Sequence, residues 1–273
     1  ARHYALLPQD DSDDPLDEAA DGAPDDVVFV DADRGVRVGA LPARCFMAVM
    51  PGGVMFGAGL GNCRSNAGRD FGLARLEQGV WQPLRGFAVP RGAHVRAIAA
   101  SPRGDRVAVA LRLANKNHEI HMVDPRSGAS LKKLGPLPEV EVMMMSFSPD
   151  GTRLWVGSNG TVSEWQPDAP LGADGLPALR DFPVAVLLPQ RMSTNGTRLM
   201  VGGAYEERIQ LVDLAAGTAL RPVDFPGPSA LGYMRTRPVM WAASTVNGLR
   251  LWDQRSGRVL MTISFLPNRR YVV

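Results

Sequence analysis

Apolar residues in this chain fall in short runs separated by glycine, proline and acidic turns, and nowhere do they sustain a helical period. In the run from Glu119, residues Ile120, Met122 and Asp124 face opposite to Glu119, His121 and Val123, as a strand requires. Other runs are apolar on both faces: "VRAIAAS" (95–101), "VMMMSFS" (142–148), "VAVLLPQ" (184–190) and "ALGYMRT" (230–236). Such runs predict strands covered on both sides. The chain is predicted to be all β.

The runs recur in register. Ser101-Pro102-Arg103-Gly104-Asp105-Arg106, Ser148-Pro149-Asp150-Gly151-Thr152-Arg153 and Ser193-Thr194-Asn195-Gly196-Thr197-Arg198 are spaced by 47 and 45 residues. A second motif keeps step with them: an alternating strand that ends in an acid, a glycine turn, then another strand. "VVFVDADRGVRVGAL" (27–41), "EIHMVDPRSGASLKKL" (119–134), "RIQLVDLAAGTALRPV" (208–223) and "GLRLWDQRSGRVLMTI" (248–263) are clear copies. Each unit therefore holds four short strands. In the unit from 95 to 134 they are predicted at Val95–Ser101, Arg106–Arg112, Glu119–Pro125 and Ser130–Leu134.

Four-stranded units at this spacing predict a β-propeller, in which blade packs on blade and buries faces that a lone sheet would leave in water. Five complete units run from about residue 43 to 265. The N-terminal strands 2–7, 27–33 and 36–41 lack a first strand, and 269–273 is a spare one. Placing the spare strand innermost in the first blade predicts six blades closed by both termini, which also removes a sheet edge. The alternatives are seven blades or a fragment of a larger ring. The whole of 1–273 is expected to be one domain, with 10–26 as an acidic flexible loop.

Composition narrows the partners. A net charge of +2 is too mild to argue for nucleic acid or an anionic membrane. No run reaches the length of a membrane-spanning helix. Two cysteines make no disulfide framework, and Cys45, in an apolar run, is expected to be a buried thiol. The expected compartment is the cytoplasm. Because the chain opens on Ala1, a processed or exported form is also left open.

The stretches "FSPDGTRLWVG" with "GTVSEW", and "GLRLWDQRSGRVL", resemble the WD-repeat family, including its degenerate bacterial members. The Trp252-Asp253 pair, the Ser-Pro-Asp-Gly turn and the Ser-Gly turn after Asp253 carry the likeness, which covers roughly 43–265. His94 sits near the place of the family's Gly-His pair. Only one copy has Trp-Asp, so the family's hydrogen-bond network is mostly missing and apolar packing is expected to hold the ring. The resemblance implies a rigid, non-catalytic scaffold for protein contacts, expected here as an interaction or sensor module of a larger protein or complex.

Other motifs carry less. "FGAGLG" (56–61) has the glycines of a dinucleotide loop but no helix after it, so the glycines are read as a strand end. The acidic run 10–26 fits no calcium-loop register. His118, assigned to the loop "RLANKNHE", and His121 point to opposite faces and cannot share an ion. The alternative function is a channel-site enzyme of the lactonase or hydrolase type. It would need an acid–base set at the inner strands, where Tyr233 and Gln190 are the larger neutral polar residues and form none. No catalytic residue, cofactor or metal is expected.

Charge placement points to a surface. Turns between first and second and between third and fourth strands share one face of a propeller. They carry Arg34, Arg103, Arg106, Arg126, Arg153, Arg191, Arg198, Arg235, Arg237, Arg255 and Arg258. Arg103, Arg126, Arg153, Arg198 and Arg255 are the candidate interaction face, suited to an acidic protein surface because guanidinium pairs carboxylate in a two-pronged fork. The opposite face carries Glu139, Glu141, Glu206 and Glu207, with Arg91, His94, Lys116 and His118 as an alternative contact surface. No aromatic residues interleave with the arginines, so nucleic acid is not the expected partner.

Overall fold

The computed structural model describes residues 4–8, 26–31, 36–42, 44–50, 54–60, 73–77, 80–137, 141–158, 160–170, 172, 178–184, 189–203, 207–228, 230–234, 237–244, 247–266 and 270–272. The acidic run through Asp25, the segment 61–72, Arg34, Arg235, Glu139 and Glu206, and the side chains of Cys45, Gln190 and Arg191, lie outside what is described.

Every described regular element is a strand. Strands β1 (Tyr4–Pro8), β2 (Asp26–Asp31) and β3 (Val36–Pro42) form a three-stranded antiparallel sheet in that order. Five four-stranded antiparallel blades follow. Blade one holds β4 (Arg44–Val49), β5 (Met55–Leu60), β6 (Leu73–Glu77) and β7 (Val80–Pro83). Blade two holds β8 (His94–Ala100), β9 (Val107–Arg112), β10 (His118–Val123) and β11 (Ser130–Leu137). Blade three holds β12 (Met144–Phe147), β13 (Leu154–Ser158), β14 (Thr161–Trp165) and β15 (Ala178–Pro183). Blade four holds β16 (Pro189–Thr194), β17 (Arg198–Gly203), β18 (Arg208–Asp213) and β19 (Thr218–Asp224). Blade five holds β20 (Ala230–Tyr233), β21 (Val239–Ser244), β22 (Gly248–Asp253) and β23 (Val259–Leu266). First strands touch in sequence order, β4 on β8, β8 on β12, β12 on β16 and β16 on β20.

The blade count corrects the expectation of six, and equally of seven. Strand β24 (Arg270–Val272) does not complete the N-terminal sheet; it pairs with β23 as a fifth, outer strand of the last blade. Only residues 267–269 separate it from β23 in sequence, whereas pairing with β1 would join segments some 260 residues apart. At about 0.6 kcal/mol per doubling of loop length, the local hairpin is favoured by about 4 kcal/mol of closure entropy.

Period-2 alternation explains how each blade serves two neighbours. On β9, Val107, Val109 and Leu111 pack toward blade one with Phe56, Leu73 and Phe87, while Ala108 and Ala110 pack toward blade three. On β10, Ile120 and Met122 join Met145, Phe147, Leu154 and Trp165 of blade three. Trp155 points the other way, into a cluster with Phe182, Leu199 and Val201. Met200, Ile209 and Phe225 meet Met240 and Trp252 at the last seam. The core is therefore a series of seams between sheets. Each fully buried Val or Leu contributes about 1.5–3 kcal/mol.

Several element bounds shift by a few residues from the sequence pattern, as in β8–β11. In blade four the first strand is described over Pro189–Thr194, and residues 185–188 of "VAVLLPQ" lie outside what is described; the Asn195-Gly196 turn follows, with Gly196 at positive φ. His118 opens β10, pairing with Arg112 and Leu137, and is not in the preceding loop.

Candidate interaction face

The recurring acid of the third strand builds the turn to the fourth. Asp124 Oδ1 accepts the backbone N–H of Arg126 and Ser127 at 2.9 and 2.7 Å. Asp213 does the same for Ala215 and Ala216, both at 2.9 Å, and Asp253 for Arg255 and Ser256 at 3.1 and 2.7 Å. In each turn a glycine at positive φ, Gly128, Gly217 or Gly257, donates its N–H to the carbonyl of the same acid at 2.9 Å. These backbone donors hold the carboxyls of Asp124 and Asp253 below the usual range, the Ser127 and Ser256 N–H groups first. The acids are turn formers.

The Ser-Pro-x-Gly turns are equally local. Gly151, at φ +70°, donates to Ser148 O at 2.8 Å. The Ser148 hydroxyl and the Thr152 N–H hold Asp150 at a pKa of about 2. A Cβ on Gly151 would stand 2.8 Å from the Arg103 side chain, which crosses from blade two and donates from Nε to Asp150 O at 2.6 Å.

Several basic side chains similarly tie one blade to the next. Arg106 meets Asp168 of blade three at 2.5 Å, as well as its own neighbour Asp105. Lys132 donates to Pro167 O and Ala169 O, each at 2.6 Å. Arg198 donates to Gln254 O of blade five. At the seam between blades three and four, Arg153 and Arg180 both pair with Glu164, and Arg180 also donates to Leu214 O. Glu164 is only 1% exposed, and the Arg180 guanidinium lies 4.5 Å from the Phe182 ring centroid. Sequence reasoning did not single out Glu164 or Arg180. A charged residue at an otherwise apolar step of "TVSEW" was the available signal.

The five candidate arginines thus lie along contiguous turns and differ in engagement. The side chains of Arg103, Arg153 and Arg198 cross-link turns or strands. Arg126 and Arg255 are exposed at turn tips, bonded through their backbone N–H. On the opposite face, Arg91 and Lys116 are exposed and His94 is half-buried, whereas His118 is 3% exposed inside the seam between blades two and three. Its Nδ1 accepts the Val142 N–H at 3.2 Å, so the ring is neutral there.

Burial, reinforced by the charge of Arg96, pushes the His118 pKa down; Glu141 opposes this and Arg112 adds to it. A depressed histidine pKa means stability that is complete above the free value of about 6.5 and is lost as pH falls below it through the folded value. Thermal unfolding across that window should show His118→Gln, whose amide oxygen can still accept from Val142, losing less stability on acidification than the parent. Parallel curves would remove His118 from the account.

Tyr233, one of the two inner-strand polar residues, is half-buried, and burial pushes its hydroxyl pKa up. Among the described residues no three His, Cys, Asp or Glu side chains cluster as a metal site would, and no helix is long and apolar enough to cross a membrane.

Sheets packed face to face about successive inner strands are the architecture of a β-propeller. Solved structures agree on that class. The β-propeller domain of Cps50 (Swd1) from Myceliophteria thermophila aligns with 85% of this chain and 91% of its own length, at 13% identity and a TM-score of 0.57. A protein of unknown function from Bacteroides caccae aligns with 88% of this chain and 91% of its own, at 13% identity and a TM-score of 0.61. No protein-family model and no curated protein matches the sequence.

Proposed function

We propose that the protein is a non-catalytic interaction scaffold of WD-repeat-like kinship, acting as a module of a larger protein or complex. The observation that carries this is the turn face. Its turns are fixed by side-chain caps and by ties such as Arg103 to Asp150 O, so Arg126 and Arg255 project from a pre-organised surface. Binding to such a surface loses little conformational freedom. The Trp252-Asp253 turn supports the kinship, with the acid capping its own glycine turn.

Selection from a displayed library of random twelve-residue peptides tests the reading. The purified chain should enrich acidic peptides, and Arg103→Glu, Arg126→Glu and Arg255→Glu combined should weaken their binding by about tenfold or more, with the thermal midpoint followed as a folding control. A library that enriches nothing, or enriched peptides indifferent to the reversal, would overturn it.

A further inference from the structure

The grooves between blades occupy equivalent positions, and their charges differ. Strand register sets the equivalence: Met122 pairs with Lys132 on β10–β11, Glu164 with Arg180 on β14–β15, and Leu211 with Leu220 on β18–β19. Between blades two and three, Lys132 caps turn carbonyls and Arg106 meets Asp168. Between blades three and four, Arg153 and Arg180 share Glu164. Between blades four and five both positions are leucine. Arg198, standing where Arg106 and Arg153 stand, has the carbonyl of Gln254 and, among the described residues, no carboxylate.

Arg221, Arg250 and Arg255 join Arg198 around this last groove, of about 440 Å³, and Met240 and Trp252 help line it. The one carboxylate in its lining, Asp224, is engaged by Arg208 at 3.0 Å. Arg250 is held in place, donating to Asp224 O at 3.0 Å with its guanidinium 5.7 and 5.9 Å from the Phe225 and Trp252 centroids. At the rim, Val259 is 45% exposed. Strand β24 pairs only with Ser264–Leu266, so the outer edge of β23 before Ser264 has no strand partner among the described residues.

We propose that this groove binds an extended acidic segment of a partner protein that also carries an apolar side chain. Its carboxylates take the role that Asp168 and Glu164 fill at the neighbouring seams, pairing with Arg198 and forking onto Arg221 and Arg255. Its apolar side chain covers the exposed Val259 at the rim, on β23. The proposal rests on the scaffold reading and names its site and partner chemistry. A nucleic acid fits less well, since the ring at this groove is buried and offers no face for base stacking.

Fluorescence anisotropy with a labelled eight-residue peptide of acidic residues interleaved with leucine tests it. The peptide should bind, while its Asn/Gln counterpart and a twelve-nucleotide oligothymidylate should bind at least about tenfold more weakly. Arg221→Glu with Arg255→Glu should weaken binding by about tenfold or more with an unchanged thermal midpoint. Leu211→Glu, which returns a carboxylate to the position of Glu164, should do the same by satisfying Arg198 from within. Arg91→Glu with Lys116→Glu, exposed on the opposite face, should leave affinity within about twofold. Equal loss from that distant pair would assign binding to the overall charge of the molecule and overturn the groove. No binding of this peptide beside successful library selection would overturn the groove alone, and failure of both would overturn both. Equal binding of the oligonucleotide would replace the acidic peptide with a general polyanion.

Discussion

Removing Arg153 and Arg180 together should lower stability by about 3–5 kcal/mol, the usual effect of leaving a buried charge without its partners. Glu164 is 1% exposed, and both guanidinium groups that neutralise it would be gone. The same change removes the donor to Leu214 O and the cation over Phe182, so the seam between blades three and four loses a cross-link and a ring contact. The neighbouring seam supplies the remedy. At its equivalent strand pair, Leu211 faces Leu220, so Glu164→Leu with Arg180→Leu should return most of the stability lost in the arginine double variant. Equilibrium denaturation in urea measures both. A loss below about 1 kcal/mol in the arginine variant would show that water reaches the carboxylate and that the pair is no more than a surface bridge.

Gly248→Ala should cost about 3 kcal/mol or more, from two causes that a second glycine separates. Gly248 has φ +71°, and a Cβ there would stand 1.9 Å from Ile263 O, in the backbone of β23. A left-handed conformation costs an alanine about 1–2 kcal/mol, and the overlap adds displacement of a paired strand. Gly257 shares the geometry at φ +68° but has nothing within 4 Å of its virtual Cβ. Gly257→Ala should therefore show the conformational part alone, about 1–2 kcal/mol. Comparable urea midpoints for the two variants would mean that β23 yields freely.

Much of the architecture is local, and this is why it was legible. The Ser-Pro-Asp-Gly and Asp-x-x-Ser-Gly turns cap themselves within five residues, so their chemistry is written in consecutive letters. Alternation along β9 and β10 likewise announces two packed faces. The blade count was not written that way. It turned on whether β24 would join a distant sheet or its own neighbour, a competition between loop-closure costs that no periodicity records. Nor could the pattern show that Arg153, Arg180 and Glu164, spread over 28 positions from 153 to 180, converge on one seam. The candidate arginines were visible as a recurrent turn residue, but which of them face a carboxylate depends on side chains one blade away.

The sequential order of the seams bears on how the fold is reached. Each described seam joins sheets that are neighbours in the chain, from β4–β8 through β16–β20, and the last strand closes on its own hairpin. No core contact among them waits for distant segments to meet. Such an order of contacts permits assembly in the direction of synthesis, each new blade docking on a surface that the previous one has just completed.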